Sequence, residues 1–278
     1  MKKEVESISK EQYSYSVIKA AINLPGVKIN REEFLRAQLK NYVKPEVVEE
    51  AIKSNPANAG IPTKTIDQIA HSVIKAETTR VTSISAAAGL PGGIAMMGTV
   101  PADVAQYFGH IIRVLQKQVY LYGWGEMYSS DESLDDETLN QLTLFLGVMF
   151  GVNAANSAIS QLVKVAAPKV EKDLSSRALT NGVVFPIVKK VATKLGYKMT
   201  KQVFARGVSK IVPVVGAVAS GTITYTTFKP LTSRLQKYLK SLPIADPNFY
   251  NQSNQFSYEE KDIIDVDYVE EEEDTIKL

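Results

Sequence analysis

Apolar residues recur at steps of three and four over most of the chain, the period of a helix face. The clearest case follows Pro101. Val104, Phe108, Ile111, Leu115, Val119 and Tyr122 form one apolar stripe, while Asp103, Gln106, His110, Arg113 and Lys117 recur at the same steps on another face. Pro101 suits a first helical turn, where its missing N–H would have no partner. The pattern predicts a helix with one side toward a core and a ladder of polar and ionisable groups toward a second surface. Before it, Phe34, Leu35 and Leu39 mark a helix within 32–43, Val47, Val48 and Ile52 another within 45–53, and Ile66, Ile69, Val73 and Ile74 a third over 65–82. Residues 55–60 carry turn chemistry and predict a loop. Residues 134–167 read as a long helix or a helix pair, Val188, Val191, Leu195, Met199 and Val203 as a further stripe, and 231–239 as a last helix. The fold class expected is all-α.

Three runs lack charge altogether: 22 residues over 81–102, 26 over 138–163 and 18 over 211–228. Length alone makes the second a membrane-span candidate, yet Asn140, Gln141, Asn153, Asn156 and Gln161 make its insertion costly. Pro213, Gly216 and Gly221 spoil the third as a simple span. Two crossings would also put Lys229, Arg234, Lys237 and Lys240 opposite the basic loop between them, against the positive-inside tendency. Packing or shallow embedding is therefore expected rather than spanning. The glycines of these runs fit close helix approach: Gly89, Gly92 and Gly93 in a tight turn, Gly147 and Gly151 at a small-xxx-small step, and Gly216 and Gly221 in the third run.

Charge changes the picture further. The formal net charge of +2 hides ten acids and two bases from residue 259 onward, so residues 1–258 hold 30 bases against 20 acids. Residues 164–210 alone carry eleven Lys/Arg against Glu171 and Asp173. Lys189, Lys190, Lys194, Lys198 and Lys201 lie off the apolar stripe there, a pattern that fits an interfacial helix attracted to anionic lipid or a solvated helix with a core-facing stripe. Three parts follow: a helical lead-in over 1–64, a helical core domain over 65–242, and a linker with a compositionally disordered acidic tail over 243–278. The tail's Ile263, Ile264, Val266, Tyr268 and Val269 among acids suit docking on a partner or on the basic segment. The absence of cysteine excludes disulfide and thiolate chemistry and makes an intracellular site natural. The first sixteen residues lack the apolar core of a signal peptide.

Two blocks make the chain resemble the EcsC family over about residues 65–240. The first is Pro91-Gly92-Gly93, then Pro101-Ala102-Asp103, then the helix through Gln116 to Tyr122-Gly123. The second is Ile211-Val212-Pro213-Val214-Val215-Gly216-Ala217 with Gly221. The family often continues Tyr-Gly with an aromatic and an Asp, whereas Trp124-Gly125 follows here, and Thr224 stands where an Asn is usual. The resemblance implies a bacterial, helical, membrane-associated protein, with a transport or secretion component as candidate partner. It implies no established activity.

Candidate chemistry is sparse. Asp103, three residues into its helix, suits a carboxylate at the positive dipole end. His110 lies two turns on, about 10 Å away along the axis, and Arg113 is close enough to act with it on a phosphate or carboxylate. Asp103, His110 and Arg113 are thus the catalytic candidates. With His71 the only other histidine and no HExxH, no metal site is expected; the glycines match neither GxxxxGK[ST] nor GxGxxG, so no cofactor is expected. No GxSxG occurs, and basic residues are not interleaved with aromatics as nucleic-acid binding would require. The reading is a helical accessory or regulatory protein at the cytoplasmic membrane face, with an anionic membrane surface as partner. The alternatives are an enzyme acting on a lipid head group or other anionic small molecule, and a soluble helical ligand-binding module.

Overall fold

The computed structural model describes residues 9–88, 96–97, 100–128, 134–166, 185–209 and 216–251. The chain is all-α. Its helices are α1 Lys10–Ile22, α2 Arg31–Leu39, α3 Pro45–Lys53, α4 Thr63–Ala88, α5 Ala102–Leu121, α6 Asp136–Met149, α7 Asn153–Ala166, α8 Phe185–Ser209, α9 Gly216–Lys240 and α10 Pro247–Asn251, with a 3-10 turn at Pro243–Ala245. The extended backbone described is a two-residue antiparallel ladder, β1 Met96–Met97 with β2 Val100–Pro101. Pro101 therefore closes that ladder rather than entering the first turn of α5. A proline at the end of a short edge strand leaves no ladder donor missing inside a sheet.

Local chemistry sets the helix ends. Ser9 and Gln12 form a reciprocal capping box at α1, each bond 3.1 Å long. Asn30 caps α2 through Glu33 N, Asp135 caps α6 through Thr138 N, and Pro45 opens α3. The charge-free run from 138 divides at Gly151, whose φ of +68° ends α6 and turns the chain into α7.

Helix α5 runs through the middle of the core, packed by α1, α2, α4, α6 and α9. All six residues of its predicted stripe are buried. Around it α4 lies along α9, α1 along α8, and α6 against α7, α8 and α9. At Gly147 an added Cβ would stand 2.6 Å from Val191 of α8 and 2.7 Å from the Ala155 Cβ of α7, so α6 meets both at near-backbone distance. Arg31 joins the small helices to the centre. Its buried guanidinium donates to the carbonyls of Ala51, Ile52 and Ser54 at the end of α3 and to that of Trp124 beyond α5. Those α3 carbonyls have no partner within their own helix, so one cation satisfies several at once. Among the described residues no helix is long and apolar enough to cross a membrane.

Candidate functional site

The site grows out of the polar side of α5. Gly109 lets the loop after α1 lie close across the helix, for a Cβ there would stand 3.1 Å from Val27 Cγ2. Gln116, fully buried, fixes that loop with its amide: Nε2 donates to Val27 O at 2.9 Å, and Oε1 accepts from Ile29 N at 2.9 Å. Gly26 turns the loop with φ +70°, and its Cβ direction points 3.5 Å from Arg113 Nη1. Between this loop, α5 and α4 lies a cleft of about 400 Å³. Arg80 of α4 and Gln106, His110 and Arg113 of α5 supply its polar lining, and Leu24, Pro25, Val27 and Ala102 its apolar wall.

Behind the cleft sits a carboxylate. Glu77 of α4 has only 5% of its side chain exposed and pairs with both Lys117 and Arg113 of α5. Burial alone would raise the Glu77 pKa. The Lys117 hydrogen bond and the charges of Lys117 and Arg113 outweigh it and hold the carboxyl below its usual range. The two bonds are unequal: Lys117 makes the short one, whereas Arg113 Nη2 stands 3.4 Å away. Arg113 Nε is buried with no acceptor among the described residues. The guanidinium thus keeps hydrogen-bonding capacity on a cation half turned to the cleft.

Of the three catalytic candidates, His110 and Arg113 share this cleft, and the Asp103 side chain lies outside the described ones. The expected ladder of α5 divides. Gln106, His110 and Arg113 face the cleft, while Arg113 and Lys117 also meet α4 through Glu77, so part of the second surface is another helix of the same chain. Sequence reasoning missed Glu77 and Arg80. A signal for Glu77 existed: Ile66, Ala70, Val73, Ile74 and Val81 are the buried line of α4, and Glu77 occupies a position on that line. A carboxylate on an apolar stripe demands cations from a neighbouring element.

On α8, Lys189, Lys190, Lys194 and Lys198 are exposed, and Tyr197 between them is 64% exposed. Val188, Val191, Leu195 and Met199 of the same helix are fully buried in the core. The apolar stripe expected to serve either lipid or core is therefore occupied by protein over these four positions. The side chains of Lys201 and Val203 lie outside the described ones, as do Gly89, Gly92 and Gly93 and the whole acidic tail. Gly216 and Gly221 fall in α9. A Cβ added at Gly151 would stand 3.6 Å from the Arg234 guanidinium, which donates to Met149 O at 2.7 Å. Among the described residues no three His, Asp or Glu side chains gather as metal ligands would.

No family model, curated protein or solved structure matches the chain.

Proposed function

We propose that the protein is a peripheral accessory or regulatory protein that docks on the anionic cytoplasmic face of a membrane, near a transport or secretion component. The observation that carries this is the outward face of α8, four exposed lysines around an exposed tyrosine. With the apolar stripe of α8 engaged in the core, attachment is electrostatic and superficial, with Tyr197 at head-group depth. The EcsC resemblance supports the same reading. Each lysine near such a surface contributes about 1 kcal/mol, an amount that salt screens strongly.

Flotation with phosphatidylglycerol vesicles tests it. Binding is expected at low salt, loss at high salt, and a marked weakening in the K190E/K194E double variant. Equal flotation with neutral and anionic vesicles at every salt concentration overturns the reading. A second reading, an enzyme or binding module acting on an anionic small molecule, is favoured by the meeting of His110 and Arg113 in one cleft.

A further inference from the structure

The geometry points to the cleft between α4, α5 and the 24–27 loop as a binding site for a phosphate monoester, whether a soluble one or a lipid head group. This site rests on the second reading above, of a cleft that takes an anionic small molecule; it is separate from the α8 face and does not depend on membrane docking. Three observations converge on it. First, the cleft's volume of about 400 Å³ lies within the range of pockets that enclose small organic ligands. Second, its charges are unbalanced. Arg80, Arg113 and Lys117 bring three cations to the cleft and its back wall, and Glu77 offsets one, leaving a surplus suited to a dianion. Third, the donors are in the form an oxyanion needs. Arg113 holds its carboxylate partner only at 3.4 Å and has a buried Nε with no acceptor among the described residues. Planar guanidinium donors match phosphate oxygens in pairs.

Around these, Gln106 and His110 line the cleft beside the arginines, and Leu24, Pro25 and Val27 form an apolar wall for the esterified group. Glu77 and Lys117 act at one remove. Glu77, itself paired with Lys117, meets Arg113 from the α4 side and so restrains the guanidinium before the ligand arrives, which lowers the ordering cost of binding.

The test uses the full chain with inorganic phosphate, glycerol 3-phosphate and a short-chain phosphatidate as probes, followed by calorimetry and by imidazole NMR. The chain has two histidines, so His71, exposed on α4 well away from the cleft, is an internal control. Phosphate is expected to move the His110 resonances and leave those of His71 in place, whereas chloride at matched ionic strength moves neither. Arg80→Ala, an exposed position, is expected to weaken binding about tenfold, the loss of one charge-assisted contact. Arg113→Lys keeps the charge and loses the fork, and is expected to weaken binding comparably with the thermal midpoint little changed. The K190E/K194E variant is expected to bind the soluble probes as the parent does, which separates this site from the α8 surface. Tighter binding of phosphatidate than of glycerol 3-phosphate assigns the lipid source, and equal binding the soluble one. No binding of any probe, a response to chloride equal to that to phosphate, or indifference to Arg80→Ala overturns the proposal.

Discussion

Glu77 is the residue on which the α4–α5 contact turns. It is almost closed to solvent, and its partners Lys117 and Arg113 have only 18% and 15% of their side chains exposed. Removing the charge leaves two partly buried cations facing each other, so Glu77→Gln is expected to lower stability by about 3 kcal/mol, read from the midpoint of urea denaturation. The same carboxyl dictates an acid limb. Its pKa in the folded chain lies below the usual range, so as pH falls protons bind the unfolded chain first. The stabilisation is fully present above the ordinary glutamate value of about 4.3 and is lost as pH drops through the folded value. Thermal melts of the parent should therefore fall below that point more steeply than those of Glu77→Gln. Gly123 presents a different demand. Its φ is +101°, and a Cβ would come within 2.8 Å of the Ile244 carbonyl oxygen. Gly123→Ala is expected to cost about 2 kcal/mol or more, combining backbone strain with a clash that only main-chain movement relieves.

At the scale of elements, polar and glycine residues in α5 and just beyond its end join it to its neighbours. Gln116 ties the loop over the helix, Tyr122 OH donates to Asp67 Oδ1 at 2.6 Å, and Gly123 admits the 3-10 turn that follows α9. Asp67 in turn pairs with Lys240, so α4, α5 and α9 are joined at one end. Several helix positions were legible because their signals are local, whereas α1 and the extension of α9 back to Gly216, with Pro230 inside the helix, were not. Pro45 marks the start of α3, and the stripe from Val104 to Tyr122 defines the buried face of α5. The division of the long apolar run was less legible. Gly151 breaks it through a left-handed conformation that a small-xxx-small pattern does not distinguish from helix packing. The cleft was legible only in part, since His110 and Arg113 share one helix face but Arg80, Glu77 and the 24–27 loop reach them by tertiary packing. Periodicity gives each helix its buried side and leaves open which neighbour covers it. Helix α6 offers a test of how tight that covering is. Gly147→Ala would press a methyl against Val191 and Ala155 and is expected to cost about 1–3 kcal/mol by overpacking. The same substitution at the half-buried Gly125, where an added Cβ would meet nothing within 4 Å, should change the denaturation midpoint little.

Across the whole molecule, charge is divided by position along the chain rather than by helix face alone. Residues 1–258 carry a surplus of ten positive charges, and residues 259–278 a surplus of eight negative ones. The exposed lysines of α8 lie in the basic part and are natural counter-charges for such a tail. Every helix described ends before residue 259, and the described core cluster ends at Ala245, so removing 259–278 takes away charge and none of the described core. Deletion of these residues is therefore expected to leave the circular dichroism and thermal midpoint nearly unchanged. If the tail competes with lipid for the same lysines, deletion also strengthens binding to phosphatidylglycerol vesicles, most at low salt, because attraction beyond about 8 Å is screened at physiological ionic strength. The expected signature is a larger gap between truncated and full-length chains as salt is lowered, measured by flotation with anionic vesicles. A truncated chain that binds as the full chain does, or less well, removes the competitor role and leaves the apolar residues Ile263, Ile264 and Val266 as contacts for a partner.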